Sequence, residues 1–158
     1  MKKFTALLLA LLLMAALSGT ALAASYNSSG DKTMTLAYTV APTYTVTIPT
    51  DVTISAAETQ MTISAEDVVV NKGKCVSVLL DQGNNFTVTT PEGAALAFTV
   101  KANGVNVNPG SEVLSIDPTD GPTGSSTLTF AIDQSQIQYA GSYTGTVTFT
   151  IVVTNSHP

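Results

Sequence analysis

The chain has 158 residues, with six lysines, no arginine, eleven acidic residues and one histidine, for a formal net charge of −5. So few cations cannot neutralise a phosphate backbone, which excludes nucleic acid as a partner. A single cysteine excludes an internal disulfide, so the fold must stand on its apolar core.

Lys2 and Lys3 precede an apolar run over 4–17, and the small-residue site Ala21-Leu22-Ala23 follows. This is the layout of a secretory signal peptide cut after Ala23. The run is shorter than the ~20 residues that span a bilayer and has no basic stop-transfer flank, so no membrane span is expected after cleavage. The expected organisation is a signal peptide over 1–23 and a single extracellular or cell-wall-associated domain over 24–158. The mature chain keeps four lysines against eleven acidic residues, with a surface rich in Thr, Ser, Asn and Gly.

Beyond the leader, strand-like alternation recurs and no strong helical period is present, which predicts an all-β domain. In TMTLAYTV, Met34, Leu36, Tyr38 and Val40 share one face and Thr33, Thr35 and Thr39 the other. After Ala41-Pro42 the pattern resumes with Tyr44, Val46 and Ile48. Pro42 has no N–H to give a ladder, which marks an edge or a crossing between sheets. Further strands are predicted at 52–55, 61–64, 68–70, 74–80, 86–90, 96–101, 112–116, 127–133 and 143–154. Asn71-Lys72-Gly73, Asp81-Gln82-Gly83-Asn84, Pro91-Glu92-Gly93, Asn103-Gly104 and Asn108-Pro109-Gly110 supply turn chemistry between them. Many short strands without crossover helices imply an antiparallel β-sandwich of two sheets, a closed barrel being the alternative.

The last strand is the most explicit. Val147, Phe149, Ile151 and Val153 fall on one face and Thr144, Thr146, Thr148 and Thr150 on the other, the pattern of one dry and one wet side. Phe149 is therefore expected at the centre of the core. The segment 25–40, which opens on Ser25-Tyr26 and ends on Val40, has its own apolar face behind Pro42. It is expected to pair within its own sandwich or to complete that of a neighbour.

The chemical inventory is sparse. Cys75 begins the apolar run CVSVLL and the only histidine, His157, lies at the C-terminal end, so no thiol–imidazole or Ser-His-Asp set is expected. The chain is expected not to be an enzyme, with no catalytic, cofactor or metal residues assigned. Asp117 and Asp120 in DPTDGPTG, with Asp31 or Asp133, are oxygen donors suited to calcium, but Asp in a Pro/Gly loop more simply forms Asx-turns. The threonine ladder reads as a solvated sheet face rather than an ice-binding array, and the Asn27 and Asn85 glycosylation sequons as chance matches. Tyr26, Tyr38, Tyr44, Tyr139 and Tyr143 are the rings available to stack on sugars. Lys72, Lys74 and Lys101 read as edge-protecting surface lysines, isopeptide cross-linking to Asn or Asp being the alternative.

The motifs YTVAPTYTVTIP and YAGSYTGTVTFTIVV resemble small secreted or wall-associated β-sandwich proteins of Gram-positive bacteria, similar to WxL-type surface domains or to pilin-like and Ig-like modules. The chain departs from WxL domains in having no Trp. Tyr143 stands where an immunoglobulin-like corner has a tyrosine bonded to a nearby carbonyl, and Gly145 where antibody domains carry a disulfide cysteine. The resemblance implies an Ig-like fold in a non-catalytic surface module. It does not fix a partner: self-association with other protein subunits and binding to cell-wall polysaccharide both fit it, so a carbohydrate-binding module and a strand-exchanging filament subunit are the alternatives.

Overall fold

The computed structural model describes residues 29–31, 33–54 and 58–157; the expected signal peptide, Ser25, Tyr26 and the Asn27 sequon lie outside them. The chain divides into two units, 1–38 and 39–158. In the first, the described residues form neither helix nor strand, and Met34, Leu36 and Tyr38 are almost fully exposed. The predicted strand over 33–40 is thus corrected: its alternation is real, but among the described residues it forms no strand.

The second unit is a β-sandwich of nine antiparallel strands: β1 (Thr43–Thr47), β2 (Thr59–Val69), β3 (Lys74–Leu80), β4 (Thr87–Thr89), β5 (Ala95–Ala102), β6 (Val105–Val107), β7 (Glu112–Ile116), β8 (Gly124–Ile132) and β9 (Phe149–Asn155). The larger sheet runs β1-β2-β8-β5-β4, with β6 also on β5, and the smaller runs β7-β3-β9. Two separate sheets set aside the closed-barrel alternative. Sequence bounds match β3 and β7, while 61–64 and 68–70 merge into β2 and no strand forms over 51–54.

The merger has a local cause. Between Glu66, opposite Thr45, and Val69, opposite Thr43, β2 carries one more residue than β1. Asp67 takes up the excess at φ 53, a bulge conformation that Asp tolerates better than most residues. The bulge shifts the alternation by one residue, which in sequence reads as a break. The hairpin from β5 to β6 turns on Asn103 and Gly104, both at positive φ (49 and 83), as a two-residue type I′ turn requires.

Alternate residues of both sheets fill the core. Ile63, Val68, Val76, Val78, Leu80, Val100 and Leu128 are essentially inaccessible, and Phe98 lies between Phe86 and Phe130 at ring-centre distances of 5.5 and 6.1 Å. Ser126, opposite Ile63 in the register, is also buried, and its hydroxyl has no partner among the described residues. An unpaired buried hydroxyl is a net cost, so Ser126→Ala is expected to stabilise the fold by about 1 kcal/mol, seen as a higher denaturation midpoint at unchanged slope.

Candidate functional site

The sandwich is closed at one side and open at the other. At the β7 side, that edge strand packs against β8, and Ile116 reaches the start of β8 at Gly124. At the other side β9 is the last strand of its sheet and, among the described residues, pairs only with β3. The register places Leu80 opposite Phe149, Val78 opposite Ile151 and Val76 opposite Val153. Directly opposed residues point to the same face, so these three β9 side chains face the core, as the alternation predicts. Val76, Val78 and Leu80 are indeed buried, yet Ile151 and Val153 are 41% and 44% exposed and Phe149 is only half-buried. This corrects the expectation of a dry face along the whole last strand and of Phe149 at the core's centre. The face is turned inward, but among the described residues no strand lies beyond β9 to cover it. Thr144, Thr146, Thr148 and Thr150 are all exposed, as expected.

Beside this edge a cleft of about 260 Å³ opens into the core. Its floor includes Met61, Phe98 and Phe130, and its walls are the stretch after β1 (49–54) and the residues leading into β9 (145–149). Val52 on the first wall is exposed and Ile54 only partly buried.

The approach to β9 is held from several sides. Thr144 exchanges backbone hydrogen bonds with Thr89 of β4 in the larger sheet (2.8 and 2.9 Å), although the regular strand begins only at Phe149, not at Tyr143 as predicted. The Tyr143 hydroxyl donates to the Tyr139 carbonyl at 2.9 Å, the corner that the resemblance implies. Gly145 is there for space: a Cβ would lie 2.7 Å from the Thr87 carbonyl oxygen. The Asn84 side chain then imitates a strand partner. Its Oδ1 accepts from the Thr148 N–H (2.8 Å) and its Nδ2 donates to the Thr148 carbonyl (2.9 Å). That carbonyl also accepts from the Asp81 N–H. Sequence reasoning treats Asn84 as a turn residue, since nothing local signals a partner 64 positions away.

The other sequence candidates do not converge. Cys75 is buried, with Sγ near Ser77 Oγ (3.6 Å) and the Asn155 carbonyl (3.5 Å), whereas His157 is exposed. Among the described residues no three His, Cys, Asp or Glu groups cluster as metal ligands would. Asp117 instead accepts from the Thr119 amide (2.9 Å) and hydroxyl (2.8 Å), an Asx-turn, and Asp133 caps a short 3-10 turn (Gln134–Gln136) through Ser135. The nearby Ser156 hydroxyl, which is buried and makes no formed hydrogen bond among the described residues, and then the Thr119 amide and hydroxyl, which do bond to it, hold the Asp117 carboxyl below its ordinary 3.8; Ser135 and Gln136 do the same for Asp133. Carboxyls depressed in the fold contribute stability above that value and lose it as pH falls through the lower folded one. Carbon-detected NMR titration should therefore show both midpoints below 3.8, and Ser135→Ala should raise that of Asp133.

Lys74 and Lys101 do not guard sheet edges. Lys74, on the central strand of its sheet, donates to Asn155 Oδ1 at 2.7 Å, and Lys101 on β5 pairs with Glu58 at 2.6 Å.

No protein-family model and no curated protein sequence matches the chain. Solved structures do resemble it. One is a chain of the CsuC–CsuE chaperone–tip adhesion subunit pre-assembly complex from the archaic chaperone-usher Csu pili of Acinetobacter baumannii. It is 23% identical with a TM-score of 0.51, and the match covers 73% of this chain but only 40% of that one. Another is the P pilus rod subunit PapA, 15% identical with a TM-score of 0.43, covering 62% of this chain and 79% of that one. The first likeness is one of fold.

Proposed function

We propose that this chain is a non-catalytic structural subunit of an extracellular filament, exported by its signal peptide, whose open sandwich is completed by a strand from a second copy. The observation that carries the reading is the exposure of Ile151 and Val153 on a strand that faces the core and has a free outer edge. A free edge offers unpaired N–H and C=O groups to any extended chain, and the uncovered apolar face selects one with alternating apolar residues. The stretch 33–40 meets that demand, with Met34, Leu36, Tyr38 and Val40 on one side and all four exposed. Its eight residues, extended, span about 27 Å, enough for the seven of β9. Each apolar side chain fully buried on insertion contributes about 1.5–3 kcal/mol. The likeness to a chain from a pilus subunit pre-assembly complex agrees with this reading.

The test uses the mature chain, 24–158, and a chain beginning at Thr43. The mature chain is expected to form a ladder of multimers at high concentration by light scattering. The shortened chain is expected to stay monomeric and to be stabilised by a peptide covering 31–40. A mature chain that stays monomeric, together with a shortened chain indifferent to the peptide, would refute the proposal.

A further inference from the structure

A second recess lies outside the open edge. Residues 139–142 of the corner before β9 and the turn over 90–94 enclose an open depression of about 690 Å³, within the range of small-ligand sites. Tyr139, on its rim, is the most exposed aromatic among the described residues of the 39–158 unit, at 64%. An exposed ring on a mobile loop would mean little, but both sides of this depression are braced. The Tyr139 carbonyl is bound by the Tyr143 hydroxyl, and the backbone just beyond is bonded to β4 at Thr144. Across from it, Thr90 closes the opposite turn, its carbonyl accepting from the Gly93 N–H (3.0 Å) and its Oγ1 from the Ala94 N–H (3.2 Å). That turn carries Glu92, which makes no ion pair among the described residues.

We infer that this depression is a saccharide-binding site for neutral polysaccharide, with Tyr139 as the stacking platform and Glu92 as the hydrogen-bond acceptor. Sugar recognition asks for a flat aromatic face for the C–H side of a pyranose and fixed polar acceptors for its hydroxyls. Tyr139 supplies the first, with the apolar ring of Pro91 across from it; Glu92 and the Ser142 hydroxyl, carried on the two braced turns, supply polar groups for the second. The other lining residues are small, which leaves the recess open to a chain passing through it rather than to a closed ligand. One carboxylate and no cation line it, so anionic polymers are repelled. The site does not depend on strand exchange, because it is built without Ile151, Val153 or the 33–40 stretch.

The experiment is affinity electrophoresis of the mature protein through gels containing a soluble β-glucan, a galactomannan or polygalacturonate. The expected result is retardation by at least one of the two neutral polymers and none by polygalacturonate. Tyr139→Ala should abolish it and Glu92→Gln should weaken it at least fivefold, both with wild-type melting temperatures because both side chains are exposed. Ile151→Asp should leave it unchanged, which separates this site from the open edge. Absence of retardation by both neutral polymers, or equal retardation of wild type and Tyr139→Ala, overturns the inference.

Discussion

Replacing Phe130 by alanine is expected to cost about 3–5 kcal/mol, while Phe149→Ala should cost only about 1–2 kcal/mol in the isolated subunit. Phe130 is 4% exposed on the floor of the cleft and packs on Phe98, so its removal takes away a nearly fully buried ring and its aromatic contact. Phe149 stands at the rim of the open cleft and is already partly exposed, so there is less transfer free energy to lose. Denaturant midpoints of the two variants at equal slope provide the measurement. Equal losses would mean that Phe149 is covered in solution. Addition of the 31–40 peptide should widen the cost of Phe149→Ala toward that of Phe130→Ala, because the inserted strand makes the rim part of the interior.

The larger effect belongs to assembly. Ile151→Asp is expected to abolish multimers while leaving the monomer folded, at a cost of about 1–2 kcal/mol, since the position is already 41% exposed. In the joined state the same carboxylate would lie in an apolar seam without a partner, a cost large enough to reduce association by more than about a hundredfold. Leu36→Asp should have the same consequence from the donor side. The two variants are complementary: one keeps its groove, the other its donor segment. Mixed in equal amounts they should give heterodimers and nothing longer, and sedimentation velocity would distinguish that outcome from restored ladders or from two inert monomers. Ladders from either variant alone would refute the role given to that residue.

How far the sequence could be read depends on whether the relevant partner is near or far along the chain. Asn103-Gly104 was legible because a type I′ turn is specified by the two residues that make it. The Tyr143 corner was legible because donor and acceptor are four residues apart. β3 and β7 were legible because their ends coincide with turn residues. The bulge at Asp67 was not, since a shift in register is visible only against the opposing strand. Nor could the pairing of Asn84 with Thr148 be seen, or the gap beyond β9. Alternation in the final strand reports which side chains are meant for a dry environment. It does not report whether the cover comes from the same molecule, and on Ile151 and Val153 that difference separates a finished domain from an open one.

The smaller sheet has a consequence for the order in which the molecule is made. Its central strand, β3, takes its two neighbours from Glu112–Ile116 and from Phe149–Asn155. The sheet therefore cannot close until Phe149–Asn155 has been made, and every shorter length of chain lacks one of its two layers in part. Such long-range closure is slow, because loop entropy is lost before the contacts that compensate it are made. A chain built this way holds β3 without one of its two neighbours until β9 arrives, so the smaller sheet is the layer that forms last.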